Sequence, residues 1–174
     1  IQILAVKPQQ LSVVEAKVPA SCEVSKATSK PLLISLLAGV TLARLQKSFP
    51  FHACVRAVPN TPSLVGQGLT GLSWGEDVST EYKQKVKGIF EPVSEVFEFP
   101  EEHLDAFLAL TSSGPAYVAL IVEALADGAV AAGLPRSVSQ YLAHRTLSGS
   151  TSLLKEKQLS PSALKDMVAS PAGT

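Results

Sequence analysis

The chain has 174 residues, of which 46% are hydrophobic and 17% are charged, and its fifteen basic and fifteen acidic side chains cancel to a net charge of zero. This balance leaves no basic surface for nucleic acid, and the apolar runs are too short for a spanning helix, so neither a nucleic-acid nor a membrane partner is expected. The two cysteines and three histidines lack metal-ligand spacing, which predicts no metal site and a reducing, cytoplasmic location.

Strands alternate with helices over the first hundred residues. Apolar runs closed by turn residues predict strands at 1–6, 32–37, 53–58, 69–74 and 93–99. Helices are predicted from 9 to about 20, from 42 to 47 and from 80 to 90. This alternation indicates an α/β fold with a partial, Rossmann-like and mostly parallel sheet, which we assign to residues 1–99 as a dinucleotide-binding domain.

The second half contains only helical patterns, and we assign residues 100–174 to an all-helical domain. Helices are predicted at 101–111, 115–132, 137–157 and 161–169. Every residue from 116 to 122 is apolar or aromatic, so we expect burial on all sides of that stretch. One face is expected to be buried within or between subunits, and it comprises Tyr117, Leu120, Ile121 and Leu125.

Three predicted strand ends carry unusual sequence: 5–8 (AVKP), 37–39 (LAG) and 58–61 (VPNT). Small or proline-bounded backbone at the carboxyl ends of parallel strands lets a flat ring or a phosphate approach the main chain closely. Each one alone is also compatible with an ordinary strand end. Together they favour a cofactor crevice.

Two further features have a structural and a functional interpretation. The loop 170–174 (SPAGT) follows a helix, and its backbone N–H groups could bind an anion, or it could be a plain helix connection. Glu123 and Asp127 lie one helical turn apart. They could form a catalytic carboxylate pair, although an arginine partner such as Arg136 or Arg145 is the better explanation.

The segment SGPAYVALIVEALADGAVAAGLPR at 113–136 resembles the signature of pyrroline-5-carboxylate reductases, which complete proline biosynthesis. Four more stretches fit the family in the same order: LAVKPQ at 4–9, ISLLAGVTLARL at 34–45, VRAVPNTPSLVGQGLTGL at 55–72 and LKDMVASPAGT at 164–174. The departures are small. Thr111 and Ser112 replace the first serine and the first glycine of the family's usual SGSGP, and Ala172 replaces the first glycine of its usual SPGGT.

This resemblance implies NAD(P)H-dependent reduction of 1-pyrroline-5-carboxylate to L-proline, by hydride transfer to the C=N carbon. It implies NADPH or NADH as cofactor, a homodimer or higher homo-oligomer formed through the helical domain, and no assigned catalytic side chain, because the cofactor supplies the chemistry. The residues implied near the cofactor are Ala5, Val6, Lys7, Pro8, Leu36, Ala38, Asn60, Thr61 and Glu101. Those implied to hold the substrate carboxylate are Ser170, Gly173 and Thr174.

The pattern G-x-G-x-x-G occurs once, at 66–71 (GQGLTG), but there it leads into a predicted strand and not into a helix. The sequence therefore offers no Gly-rich turn that seats a pyrophosphate on a helix N-terminus. In the family this turn lies upstream of the residue that matches Ile1, so we expect a fragment lacking both ends, with weak activity or none. Two alternatives stay open. One is another two-domain Rossmann dehydrogenase acting on a small hydroxy acid, and the other is a catalytically incomplete helical assembly fragment.

Overall fold

The computed structural model describes residues 1–17 and 30–169 of the chain. They belong to two compact units, which we call the sheet unit (Ile1–Pro115) and the helical unit (Ala116–Thr174). All described strands lie in the sheet unit.

A five-stranded sheet with the order β1-β2-β3-β4-β5 forms the centre of the sheet unit. Its strands are β1 (Gln2–Leu4), β2 (Leu32–Ser35), β3 (Ala53–Pro59), β4 (Gly68–Trp74) and β5 (Ser94–Glu98). The first three strands are mutually parallel, β4 runs antiparallel to β3, and β5 runs parallel to β4. The predicted α/β class with a mostly parallel sheet is therefore confirmed.

Both faces of the sheet are covered, which explains the continuous apolar runs of β2 and β3. Leu33 packs on one face with residues of two helices, α1 (Leu11–Glu15) and α2 (Leu42–Ser48). Its neighbours Leu32 and Ile34 point to the other face, where α3 (Thr80–Phe90) contributes to the core. Of the predicted helix from residue 9 to about 20, the part after residue 17 lies outside the described residues.

The sheet unit extends further than the sequence predicted. A 3-10 turn (Glu101–His103) and α4 (Leu104–Thr111) follow β5 and belong to the sheet unit, which ends at Pro115. Leu104 is fully buried, and the ring of Phe107 lies against Phe97 and Phe99. The division between the two units therefore lies after Pro115 and not at the predicted domain boundary between 99 and 100, because α4, an apolar helix of the predicted helical domain, packs on β4 and β5. The predicted domain assignment itself stays a prediction.

The helical unit is built from α5 (Gly114–Ala131, which begins at the end of the sheet unit), α6 (Arg136–Glu156) and α7 (Pro161–Val168). After α5 the backbone turns at Gly133, whose φ of 101° lies in the region that favours glycine. The helix α7 begins where the Ser160 hydroxyl accepts a hydrogen bond from the Ala163 N–H.

The apolar surface of α5 is not buried within the single chain. Tyr117 and Leu120 are 62% and 63% exposed, and Ile121 and Leu125 are close to half exposed. The expectation that residues 116–122 are buried on all sides is therefore wrong for one chain alone. Within α5 only the small side chain of Ala126 is buried.

By length and composition, the helical stretch Glu101–Ala131 could cross a membrane. A turn at residues 112–113 divides this stretch into α4 and α5, and acidic side chains lie in both parts, Asp105 in α4 and Glu123 and Asp127 in α5. Apolar helices of core and interface regions pass the same test, so this property does not distinguish lipid from a protein partner.

Candidate functional site

The carboxyl ends of β1, β2 and β3 lie at one edge of the sheet, because the three strands are parallel. Leu4 pairs with Ser35, so β1 and β2 end level, whereas β3 continues three residues beyond Arg56, the partner of Ser35, to Pro59. The loop residues that follow β1 and β2 are open: Ala5, Lys7, Pro8 and Ala38 are exposed, and Val6 and Leu36 are partly buried. The structure thus brings together the strand ends that the sequence singled out.

The turn between β2 and α2 combines small residues with fixed backbone geometry. Gly39 has a φ of 71°, and a Cβ built there would have no atom within 4 Å, so the turn is open to solvent. On its sheet side, the buried Ser35 hydroxyl accepts a hydrogen bond from the Leu37 N–H at 3.3 Å. On its helix side, Thr41 Oγ1 accepts from the Arg44 N–H at 3.2 Å. This edge has room for a flat or anionic group against the main chain.

Asn60, at the end of β3, uses both polar groups of its side chain inside the protein. Its Oδ1 accepts a hydrogen bond from the Leu69 N–H at 2.8 Å, and its Nδ2 donates to the Thr111 carbonyl at 3.0 Å. The amide therefore ties β3 to the start of β4 and to the end of α4. Thr61, the next residue, is exposed at the start of a 3-10 turn (Thr61–Val65).

Glu101 also makes contacts that the sequence did not predict. Its Oε1 accepts hydrogen bonds from the Leu42 N–H at 2.6 Å and from Arg56 Nη1 at 3.2 Å. Arg56 lies in the middle of the sheet with only 3% of its side chain exposed, and its Nη2 lies 3.3 Å from Asp105 Oδ1. Sequence analysis did not identify Arg56. The available signal was a single basic residue within the buried run ACVRAV (53–58).

A groove of about 660 Å³ opens beside Glu101, lined by the last residues of β4 and β5 and by the first residue of α2. Trp74 Nε1 donates to Glu98 Oε2 at 2.7 Å, and the Lys83 ammonium lies 5.5 Å from the Trp74 ring centroid. The hydrogen bond from Lys87 lowers the pKa of Glu98; burial opposes this to a lesser extent, and the hydrogen bond from Trp74 adds a still smaller lowering. These contacts fix the groove wall and leave Glu98 ionised.

The predicted arginine partner of the α5 acids is present. Arg136 forms an ion pair with Asp127, and both side chains are more than half exposed. They line a cleft of about 490 Å³ whose walls come from α5 and α6, with Glu123 and His144 among its lining residues. The ion pair accounts for Asp127 without a catalytic role, as the sequence analysis preferred.

Two other predictions concern the substrate carboxylate and a metal site. Ser170, Gly173 and Thr174, implied to hold a carboxylate, lie outside the described residues. Within residues 1–17 and 30–169, no group of three or more His, Cys, Asp or Glu side chains is placed to hold a metal ion.

Comparisons with known proteins identify the family. A family model described as pyrroline-5-carboxylate reductase dimerisation matches residues 101–174. A pyrroline-5-carboxylate reductase of Synechocystis is 48% identical over 174 residues, which is all of this chain and 63% of the relative. A crystal structure of Plasmodium falciparum pyrroline carboxylate reductase, described with NADP bound, has a TM-score of 0.86 at 33% identity, with 99% of this chain and 67% of that chain covered.

The chain belongs to the pyrroline-5-carboxylate reductase family. The resemblance seen in the sequence is thereby confirmed along the whole chain. A reductase structure from Coxiella burnetii agrees, with a TM-score of 0.84 at 36% identity over 99% of this chain. The chain spans 63% of the length of the Synechocystis reductase and 62% of that of the Glycine max reductase, to which it is 38% identical.

Proposed function

We propose that this chain is the part of a pyrroline-5-carboxylate reductase that forms one wall of the cofactor crevice and the subunit contact. In the full-length enzyme, by which we mean this chain joined to the segments that its relatives have in addition, the reaction would reduce 1-pyrroline-5-carboxylate to L-proline. The observation that carries this proposal is the shared edge at which the parallel strands β1, β2 and β3 end, in a chain 48% identical to the Synechocystis reductase.

The reaction adds two electrons and two protons, as one hydride and one proton, across the C=N bond of the cyclic imine. NADPH or NADH, when bound, supplies the hydride for the carbon, and the nitrogen gains a proton. The crevice fits such a cofactor because its loops are small or proline-bounded and open, and NADP is named in the description of the Plasmodium structure. The residues that we propose to border it are Ala5, Val6, Lys7, Pro8, Leu36, Ala38, Asn60 and Thr61.

These residues would contribute orientation rather than acid–base chemistry. Asn60 has both polar groups engaged with the main chain, so it would fix the position of Thr61 beside the reacting ring. Alignment of two rings at van der Waals distance supplies a large part of the rate enhancement in such a transfer. For the substrate carboxylate we propose the backbone N–H groups of the loop at 170–174, with Ser170, Gly173 and Thr174 as the contributing residues.

The exposed face of α5 supports a homodimer or higher homo-oligomer. Its residues Tyr117, Leu120, Ile121 and Leu125 are exposed in the single chain, and contiguous apolar surface of this kind marks an interaction site. The family model that matches this region is described by dimerisation, which favours a second copy over lipid as the covering partner. A cytoplasmic location is part of the proposal, supported by the free and buried thiol of Cys54.

The test is a steady-state assay of the full-length enzyme with 1-pyrroline-5-carboxylate and with a small 3-hydroxy acid. We expect NADPH or NADH oxidation that depends on the imine, with L-proline formed in equal amount. The hydroxy acid should give no cofactor reduction. Turnover of the hydroxy acid, or an enzyme that binds neither nicotinamide cofactor, would contradict the proposal.

A further inference from the structure

The carboxylate of Glu101 connects three parts of the sheet unit. One oxygen, Oε1, accepts from the Leu42 N–H at 2.6 Å and from Arg56 Nη1 at 3.2 Å, and Glu101 itself lies in the segment after β5. The contacts join residues 59 and 45 positions apart in sequence. The side chain is 28% exposed, so solvent reaches only part of it.

Both ends of this connection depend on the same carboxylate. Leu42 is the first residue of α2, and its N–H has no acceptor within a helix, since the first N–H groups of any helix lack one. Arg56 is 3% exposed, its Nε has no hydrogen-bond partner, and its second carboxylate partner Asp105 is 82% exposed. Glu101 is therefore the less exposed, and the less solvent-screened, of the two carboxylates that face this guanidinium.

The position of α2 determines the turn before it. Only the residues from Leu36 to Thr41 separate β2 from α2, and they include the exposed Ala38 and Gly39. With β2 fixed in the sheet, a hydrogen bond to the first N–H of α2 fixes the other end of this turn. The turn is the one proposed to border the cofactor.

We propose that Glu101 and Arg56 are positioning residues: they hold the start of α2, and through it the turn from Leu36 to Thr41, in the geometry that receives the cofactor. Glu101 then acts through the Leu42 amide and not by touching cofactor or substrate. This inference rests on the proposed function. It replaces the role near the cofactor and the substrate that the family resemblance implied for Glu101.

Two substitutions of Glu101 in the full-length enzyme separate the two connections. Glu101→Gln keeps an oxygen that can accept from the Leu42 N–H but removes the charge that faces Arg56. Glu101→Ala removes both. The matched control is Glu102→Ala, at the exposed neighbouring acid. For each variant the melting temperature, the Kd for NADPH, kcat, and the hydrogen exchange rates of the Leu42 and Arg44 amides are measured.

If Glu101 has this positioning role, both Glu101 variants should lower the melting temperature, but only one of them should weaken cofactor binding. The melting temperature should fall because Arg56 loses the less solvent-screened of its two counter-charges. Only Glu101→Ala should raise the Kd for NADPH by about tenfold, the effect of losing one charge-assisted hydrogen bond. It should also speed exchange at Leu42 and Arg44, whereas kcat at saturating cofactor changes little. Glu102→Ala should match the wild type in every measurement.

A direct contact between Glu101 and the ligands would give a different pattern. Glu101→Gln would then weaken NADPH or lower kcat as much as Glu101→Ala, with amide exchange at α2 unchanged in both, and the inference would be wrong. If the wild-type enzyme binds neither NADPH nor NADH, the proposed function fails. In that case the amide exchange rates still show whether Glu101 holds the start of α2, because they are measured without ligand.

Discussion

Replacement of Gly71 by alanine tests how tightly α4 packs on β4. A Cβ at this position would lie 2.9 Å from two ring carbons of Phe107 and 3.0 Å from Val58 Cγ2. The ring cannot move away freely, because its centroid lies 5.5 Å from that of Phe99 and 6.3 Å from that of Phe97. Overpacking of this kind costs about 1–3 kcal/mol. The lower entropy of the unfolded alanine chain returns about 0.4–1 kcal/mol, so we expect a net loss of about 1–2 kcal/mol.

The assay is urea unfolding of the full-length enzyme, with Gly88→Ala as the matched control. Gly88 lies in α3, is exposed, and would place its Cβ where no atom lies within 4 Å. The same substitution should there stabilise the protein by about 0.5–1 kcal/mol, because alanine is the better helix former. The two variants should therefore change the free energy of unfolding in opposite directions.

The double variant Gly71→Ala with Phe107→Leu identifies the cause. If the ring is the obstacle, the smaller side chain should recover part of the loss, so the two substitutions together cost less than the sum of their separate costs. Additive costs, or a Gly71→Ala variant as stable as the wild type, would refute the packing of α4 on β4 described above.

Three further predictions concern the dimer, the substrate and the thiol. Ile121→Glu should convert the oligomer to monomers by sedimentation velocity while the chain stays folded, whereas Ile89→Glu on α3 should leave the oligomer intact. Gly173→Pro should raise the KM for 1-pyrroline-5-carboxylate about ten- to a hundredfold by removing a backbone donor, and Lys165→Ala should raise it far less. Burial raises the pKa of Cys54 from 9.0 to about 11, so its contribution to stability is complete below pH 9 and is lost as the pH rises through 11. Denaturation across this range should show that loss in the wild type and not in Cys54→Ala.

The elements of the sheet unit follow closely from local sequence. Continuous apolar runs closed by proline or glycine gave β2, β3 and β4 to within a few residues, and Thr41 and Ser79 cap α2 and α3 through their hydroxyls. The antiparallel direction of β4 was not predictable in this way. A strand buried on both faces has the same pattern in either direction, and the direction is set by the connection that precedes it.

The polar contacts of the site could not be predicted from local sequence, because they join distant residues. In the local sequence, Arg56 is a charged residue within a buried strand and has no evident partner. Its partner Glu101 lies 45 positions later in the chain. Asn60 likewise meets the Thr111 carbonyl across 51 positions. A family resemblance locates such residues near a ligand, but it does not distinguish a side chain that contacts the ligand from one that holds the backbone around it.

The helix α5 shows a different limit, since its composition demands burial without saying what provides it. The sequence shows that α5 cannot be a freely solvated surface helix, and the structure shows that one chain leaves Tyr117 and Leu120 more than 60% exposed. The exposed apolar surface of α5 must therefore be covered by something outside the single chain. Asp127 is paired with Arg136 within the same unit, so this acid does not need a basic partner from outside. The exposed residues Tyr117, Leu120, Ile121 and Leu125 are all apolar or aromatic, which fits a second copy of the same helix, because a symmetric contact brings these identical residues together.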